Sequence, residues 1–162
     1  MAILRNTKIE GFLNVSREIK GRTIEGGVFN DYAEFRKSNE LTPGRVVVET
    51  GQGDLILSTD RLLPGGNIIS DTYGFSIGQN EECQCPIAVC GRVLAHPFED
   101  IENFKPGDPV CTGPEGTVSL MTREEVREWP DRILGTVSEI PDYFSWGDND
   151  IFINGRIWIK VK

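Results

Sequence analysis

The chain has 162 residues, with 25 acidic against 17 basic side chains and a formal net charge of −8. That length holds one ordinary domain, or one domain plus an arm, and the acidic balance argues against a nucleic-acid surface, which needs clustered Lys and Arg. No apolar run reaches the roughly 18 to 20 residues of a membrane span, and charge interrupts the opening Met1-Ala-Ile-Leu-Arg-Asn-Thr-Lys too early for a secretory signal.

Residues 1–30 read as an extended N-terminal arm. Ile9, Phe12, Leu13, Ile19, Ile24 and Phe29 are scattered among polar residues and punctuated by Gly. Strands so sparse in apolar surface do not bury themselves alone. They make sense if sister chains share one thin core around an axis, or as an edge-paired terminal segment. Residues 31–162 read as a β-rich globular domain. Asp31-Tyr-Ala-Glu-Phe-Arg-Lys37 forms the junction into it, as either a helical turn or a strand. Arg45-Val-Val-Val-Glu-Thr and Asp54-Leu-Ile-Leu-Ser-Thr, split by Gly51-Gln-Gly53, predict a hairpin. Residues 86–95 predict an apolar strand with Gly91 as a bulge or a point of close approach. Thr122-Arg-Glu-Glu125 predicts a capping box opening one short helix, which Trp129-Pro130 ends. Ile133–Glu139 predicts a strand, and Asn154-Gly155 a hairpin through a type I′ turn, before the alternating Ile157, Ile159 and Val161.

The chain also reads as a repeat. Pro43-Gly44 returns as Pro106-Gly107, an offset of 63 residues, and the same offset carries Val47 to Val110, Gly53 to Gly116, Leu55 to Val118 and Leu57 to Leu120. Hairpins share this grammar, so the match reads either as a duplication or as common turn chemistry. The expected fold is all-β: a compact, turn-rich β-barrel or β-sandwich with one short helix plus the arm.

Few side chains suit catalysis. His96 is the chain's single histidine and stands at a strand end, a place for packing more than chemistry. Cys83, Cys85, Cys90 and Cys111 are enough thiolates for zinc. Cys83-Gln-Cys85 is spaced too tightly for a zinc knuckle, however, so free thiols are expected and no metal or cofactor. Pro141–Asp150 offers Tyr143, Trp146 and Asp148, which either bind a glycan or receptor or pack onto the body. Asp31 and Glu34 share a face if their segment is helical. Two close carboxylates then act as acid and base, the equipment for cutting a peptide bond.

Asn30-Asp-Tyr-Ala-Glu-Phe, with the β-rich body behind it, resembles the start of the autoproteolytic intramolecular-chaperone domain that ends bacteriophage tailspikes and pre-neck appendages, the G2-type peptidases. Asp131-Arg-Ile-Leu-Gly-Thr-Val-Ser-Glu, Asn154-Gly-Arg-Ile-Trp-Ile-Lys-Val and the Lys105-Pro-Gly-Asp108 turn are similar to phage structural proteins of Gram-positive hosts. The resemblance implies a homotrimer that sets the register of spike chains. In processing members it also implies self-cleavage near the N-terminus. Carried over, Asp31 and Glu34 are the acidic pair beside the scissile bond, which falls within Gly26–Asp31, with the bond after Asn30 as one choice. Because so little chain precedes the motif, a virion structural protein that keeps the trimerising fold is expected ahead of a processing spike. It would be made in the bacterial host cytoplasm and placed in the virion. Its partners would be sister copies, other virion proteins and, at a fibre tip, a host receptor.

Overall fold

The computed structural model describes residues 30–147 and 150–161. The arm expected over 1–30 therefore lies outside the described residues, except for Asn30. Among the described residues the fold is mostly β, as expected. Its strands are β1 (Asp31–Arg36), β2 (Val46–Glu49), β3 (Leu55–Leu57), β4 (Gly66–Ile68), β5 (Tyr73–Ile77), β6 (Cys85–Ala95), β7 (Pro109–Thr112), β8 (Val118–Leu120), β9 (Gly135–Glu139), β10 (Ser145–Trp146), β11 (Ile151–Phe152) and β12 (Ile157–Val161). The one α-helix among the described residues, α1 (Arg123–Glu128), opens on the expected capping box: Thr122 accepts from the Glu125 amide and Glu125 accepts from the Thr122 amide. The strands form a seven-stranded sheet in the order β5-β1-β6-β12-β9-β7-β8, a three-stranded sheet β3-β2-β4 and the pair β10-β11.

Hydrogen bonds at the sheet margins turn this list into two rings. In the first, β1 continues to Ser38, which bridges Leu55 of β3; β3 pairs with β2, β2 with β4, and Ile69 beyond β4 bridges Ile87 in the first half of β6, which returns to β1. In the second, β6 continues to Pro97, which bridges Val118 of β8; β8 pairs with β7, β7 with β9, β9 with β12, and β12 returns to the second half of β6. The expected compact β-barrel or β-sandwich thus takes the form of two small closed rings that share β6.

The sequence repeat is a structural one. Val47 faces Leu57 and Val48 faces Ile56, just as Val110 faces Leu120 and Cys111 faces Ser119. Turn bonds repeat as well: Gly44 N–H donates to Ile69 O and Gly107 N–H to Val137 O, both at 2.8 Å. Ser58 N–H donates to Val46 O as Met121 N–H does to Pro109 O. The first ring's core of Val47, Leu55, Ile69, Cys85 and Ile87 has its counterparts in Val110, Val118, Val137, Ile157 and Ile159, all buried in the main core. Common turn chemistry alone does not reproduce a core residue by residue.

One expectation needs correction. Asn154 and Gly155 do take positive φ, 49° and 73°, and Arg156 N–H closes the turn onto Ile153 O. The turn does not join a hairpin, because β11 pairs with β10 while β12 pairs with β6 and β9. The aromatic cluster of Trp146 and Trp158 draws β11 away from β12.

Candidate functional site

β1 begins at Asp31, set by register between Tyr73 of β5 and Gly91 of β6. Asp31 is 6% exposed. Its Oδ1 accepts from Thr72 Oγ1 at 2.7 Å, and Oδ2 is buried without a partner. Ser70 Oγ accepts from the Thr72 amide, which fixes the short Ser70–Thr72 turn under the carboxyl. Burial pushes the Asp31 carboxyl up to about 6; the Ser70 and Thr72 hydroxyls hold it down, and the Asp71 charge adds to the rise. A carboxyl poised there both gives and takes protons near neutral pH.

The peptide bond entering β1 is held as tightly. Asn30 O accepts from the Arg92 amide at 2.6 Å, and Asn30 Nδ2 is buried without a partner. Gly91, at φ +105°, lies against this peptide; a Cβ there would sit 2.2 Å from Asn30 O and 2.7 Å from Asp31 Cα. Gly91 is therefore the point of close approach expected from the sequence, and any side chain would push the two backbones apart.

Glu34 does not join Asp31. The segment is a strand, not a helical turn, and burial alternates along it: Asp31, Ala33 and Phe35 are buried, while Tyr32, Glu34 and Arg36 are half-buried. The register slips belong to Gly74 and Val89 in the neighbouring strands, so β1 keeps its two-residue period and residues three apart point to opposite faces. The acid–base pair expected of a helical turn is thus divided. Glu34 instead lines a cleft of about 290 Å³ with Arg36, Asp131 and Arg132.

The aromatic loop packs onto the body. Trp158 Nε1 donates to Tyr143 Oη at 2.7 Å, Tyr143 Oη donates to Glu139 at 2.8 Å, and Trp146 meets Trp158 edge-on at 5.3 Å. Tyr143 and Trp146 are half-buried in this cluster, while Phe144 and Phe152 are exposed. Asp148 lies outside the described residues. His96 lines a second concavity of about 470 Å³ beside the Asp71–Arg156 ion pair, and burial together with Arg45 and Arg156 holds its pKa below the usual histidine range. The thiols are dispersed in environment: Cys85 and Cys111 are buried, Cys83 is half-buried and Cys90 exposed. Burial pushes Cys85 up to about 11. Among the described residues no group of three or more His, Cys, Asp and Glu is placed to hold a metal ion.

Sequence reasoning reached Asp31 but missed Ser70, Thr72 and the grip of Gly91–Arg92 on Asn30. Ser70-Asp-Thr72 is a common turn composition, and nothing along the chain ties it to a carboxylate 41 residues earlier. No protein-family profile, no curated protein and no solved structure matches this chain.

Proposed function

We propose that this chain is a phage virion structural protein, a homotrimeric fibre, spike-tip or head/tail decoration component whose N-terminal segment intertwines with sister copies or docks on the particle. The observation that supports this reading is the outer edge of β5. Among the described residues no strand pairs with that edge, and Phe75 and Ile77 on it are 57% and 48% exposed. Phe75 stacks on Tyr32 at 5.3 Å, so the apolar ridge is continuous with β1, where the N-terminal segment enters. Proteins cover or blunt such edges, because exposed strand edges template association; assembly with sister copies covers this one. Sedimentation velocity at micromolar concentration tests the reading. A trimer that dissociates in the Phe75→Glu, Ile77→Glu double variant is expected, whereas a monomer of the unaltered chain overturns it.

A second reading, self-processing near the N-terminus, draws on the Asp31 site. A buried carboxyl beside a hydroxyl, at the point where 30 residues precede the body, is placed to serve proton transfer at the adjoining peptide bond. Glu34 has no part in it, because it lies on the other face of β1. Intact mass of the full chain before and after incubation tests this. Loss of the N-terminal segment, slowed by Asp31→Asn, is the expected result, and an unchanged mass disposes of it.

A further inference from the structure

The self-processing reading leaves its nucleophile unnamed, and the inference that follows rests on that reading. A hydroxyl or a bound water would attack from outside the peptide. At the Asn30–Asp31 junction the buried, unpartnered nitrogen nearest the bond along the chain belongs to the residue being cut.

We propose that Asn30 cleaves its own carboxy-side peptide bond: its Nδ2 attacks its own main-chain carbonyl carbon, a succinimide ring closes, and Asp31 departs with a free α-amine. One C–N bond forms and one breaks. One proton leaves Nδ2 and one arrives on the Asp31 nitrogen, so the step consumes no water and needs no oxidant, reductant or metal.

Asn30, Arg92 and Asp31 each supply one part of the step. Asn30 Nδ2 is buried and makes no hydrogen bond, so no acceptor holds it away from the carbonyl. Buried side-chain amides in folded proteins nearly always find a partner, and exceptions concentrate where chemistry or strain is stored. The carbonyl oxygen under attack already receives the Arg92 N–H at 2.6 Å. That donor is aimed at the atom on which negative charge develops as the tetrahedral centre forms. Gly91 makes the approach possible, since a Cβ at that position would collide with Asn30 O. The Asp31 carboxyl sits on the leaving residue itself, with Oδ1 anchored by Thr72 and Oδ2 without a partner. Nδ2 and Oδ2 are not bonded to each other, so a side-chain rotation brings them together before Oδ2 takes the proton and returns one to the departing nitrogen. Its raised pKa keeps both protonation states populated near neutral pH, which suits a relay.

Time-resolved intact-mass spectrometry of the full-length chain tests the proposal. Two products are expected, whose masses add to that of the starting chain. The C-terminal product begins at Asp31, and the N-terminal one is lighter by one water than the peptide that hydrolysis would yield. Asn30→Ala abolishes the reaction, as does the near-isosteric Asn30→Asp, which removes the attacking nitrogen while keeping the shape; thermal melts confirm that both variants fold. Gly91→Ala slows the reaction at least tenfold, and Glu34→Gln changes its rate by less than about twofold. Cleavage that survives Asn30→Ala, or an N-terminal product carrying a free carboxylate at the earliest times, overturns Asn30 as nucleophile and leaves self-processing standing. A chain that stays whole under every condition, with or without deamidation at Asn30, overturns both.

Discussion

The two rings share a hydrogen-bond frame and differ in what fills it. Where the second ring sets Val93 opposite Ile159, the first sets Glu34 opposite Ile87; where the second has Ala95 opposite Ile157, the first has Arg36 opposite Cys85. Val93 and Ala95 are fully buried in the main core, whereas Glu34 and Arg36 line the cleft. The rings also diverge in the stretch that leads from their fourth strand to their last. The first ring carries β5 there, and the second carries the β10–β11 pair with its aromatic cluster. Asp71 and Arg156, one from each stretch, form an ion pair in which Arg156 Nη1 donates to both Asp71 carboxylate oxygens at 2.9 Å. Backbone pairing and positive-φ turns fix the frame, so the repeated glycines Gly44/Gly107 and Gly53/Gly116 stay. Side chains on the strand that opens each ring are free to vary. In the first ring that freedom holds the Asp31 site, and at the matching place in the second ring stands Cys90, a free and exposed thiol.

The comparison breaks most directly in the cores. Ile159→Ala opens a cavity walled by apolar side chains and is expected to cost about 4 kcal/mol, towards the upper end of such truncations. Ile87→Ala stands beside Glu34 and the cleft, where water and a long side chain relieve part of the void. Its expected cost is about 2 kcal/mol. Urea unfolding monitored by tryptophan fluorescence gives both values. Equal costs would mean that the polar residues of the first ring leave its core as dry as that of the second.

Asp31 gives a smaller effect with a sign of its own. Its folded pKa, about 6, lies above the ordinary value of 3.8. The folded state therefore binds the proton more tightly than the unfolded chain. Between those two values stability falls as pH rises, and the full cost of burying the charge is present above the folded pKa. Asp31→Asn removes the charge and keeps the shape. It is expected to stabilise the fold by about 3 kcal/mol above that pKa and by almost nothing below pH ~4. Cys90→Ala, at the counterpart position, is expected to stay within about 0.5 kcal/mol at every pH. Thermal melts of the three proteins across that range decide it. A gap between Asp31→Asn and the unaltered chain that ignores pH would place the Asp31 charge outside the folded energetics.

What was legible in the sequence follows the same division. Elements defined by local chemistry stood out: the Thr122 capping box, the glycine turns, and the apolar runs that became β2, β3, β6, β9 and β12. The repeat was visible because turn glycines and inward valines recur at one spacing. β4 and β5 were not, since β4 is only Gly-Asn-Ile and β5 turns two of its large apolar residues outward. The junction at Asp31 was open between helix and strand because a short stretch of mixed residues has no periodicity until neighbours pair with it. The Asp31 site itself depends on Thr72, just before β5, and Gly91, inside β6, meeting β1 from its two sides. That meeting is a product of long-range strand pairing and leaves no local mark.

The smallest expected effect tests whether α1 belongs to the frame or was added to it. The second ring passes from β8 to β9 through α1, where the first passes from β3 to β4 with no helix. The cap holds α1 by two bonds, Thr122 Oγ1 accepting from the Glu125 amide at 3.2 Å and Glu125 Oε2 accepting from the Thr122 amide at 2.8 Å. Glu125 is also clasped by Arg61, from the β3–β4 connection of the first ring, at 2.9 Å. Thr122→Ala deletes only the hydroxyl and leaves the Arg61 clasp, so a loss of about 1 kcal/mol is expected. Amide exchange should quicken over Arg123–Glu128 and remain slow in β7, β8 and β9. If protection fell across those strands as well, the helix would be holding the second ring closed, and the two rings would share less of a frame than their hydrogen bonds suggest.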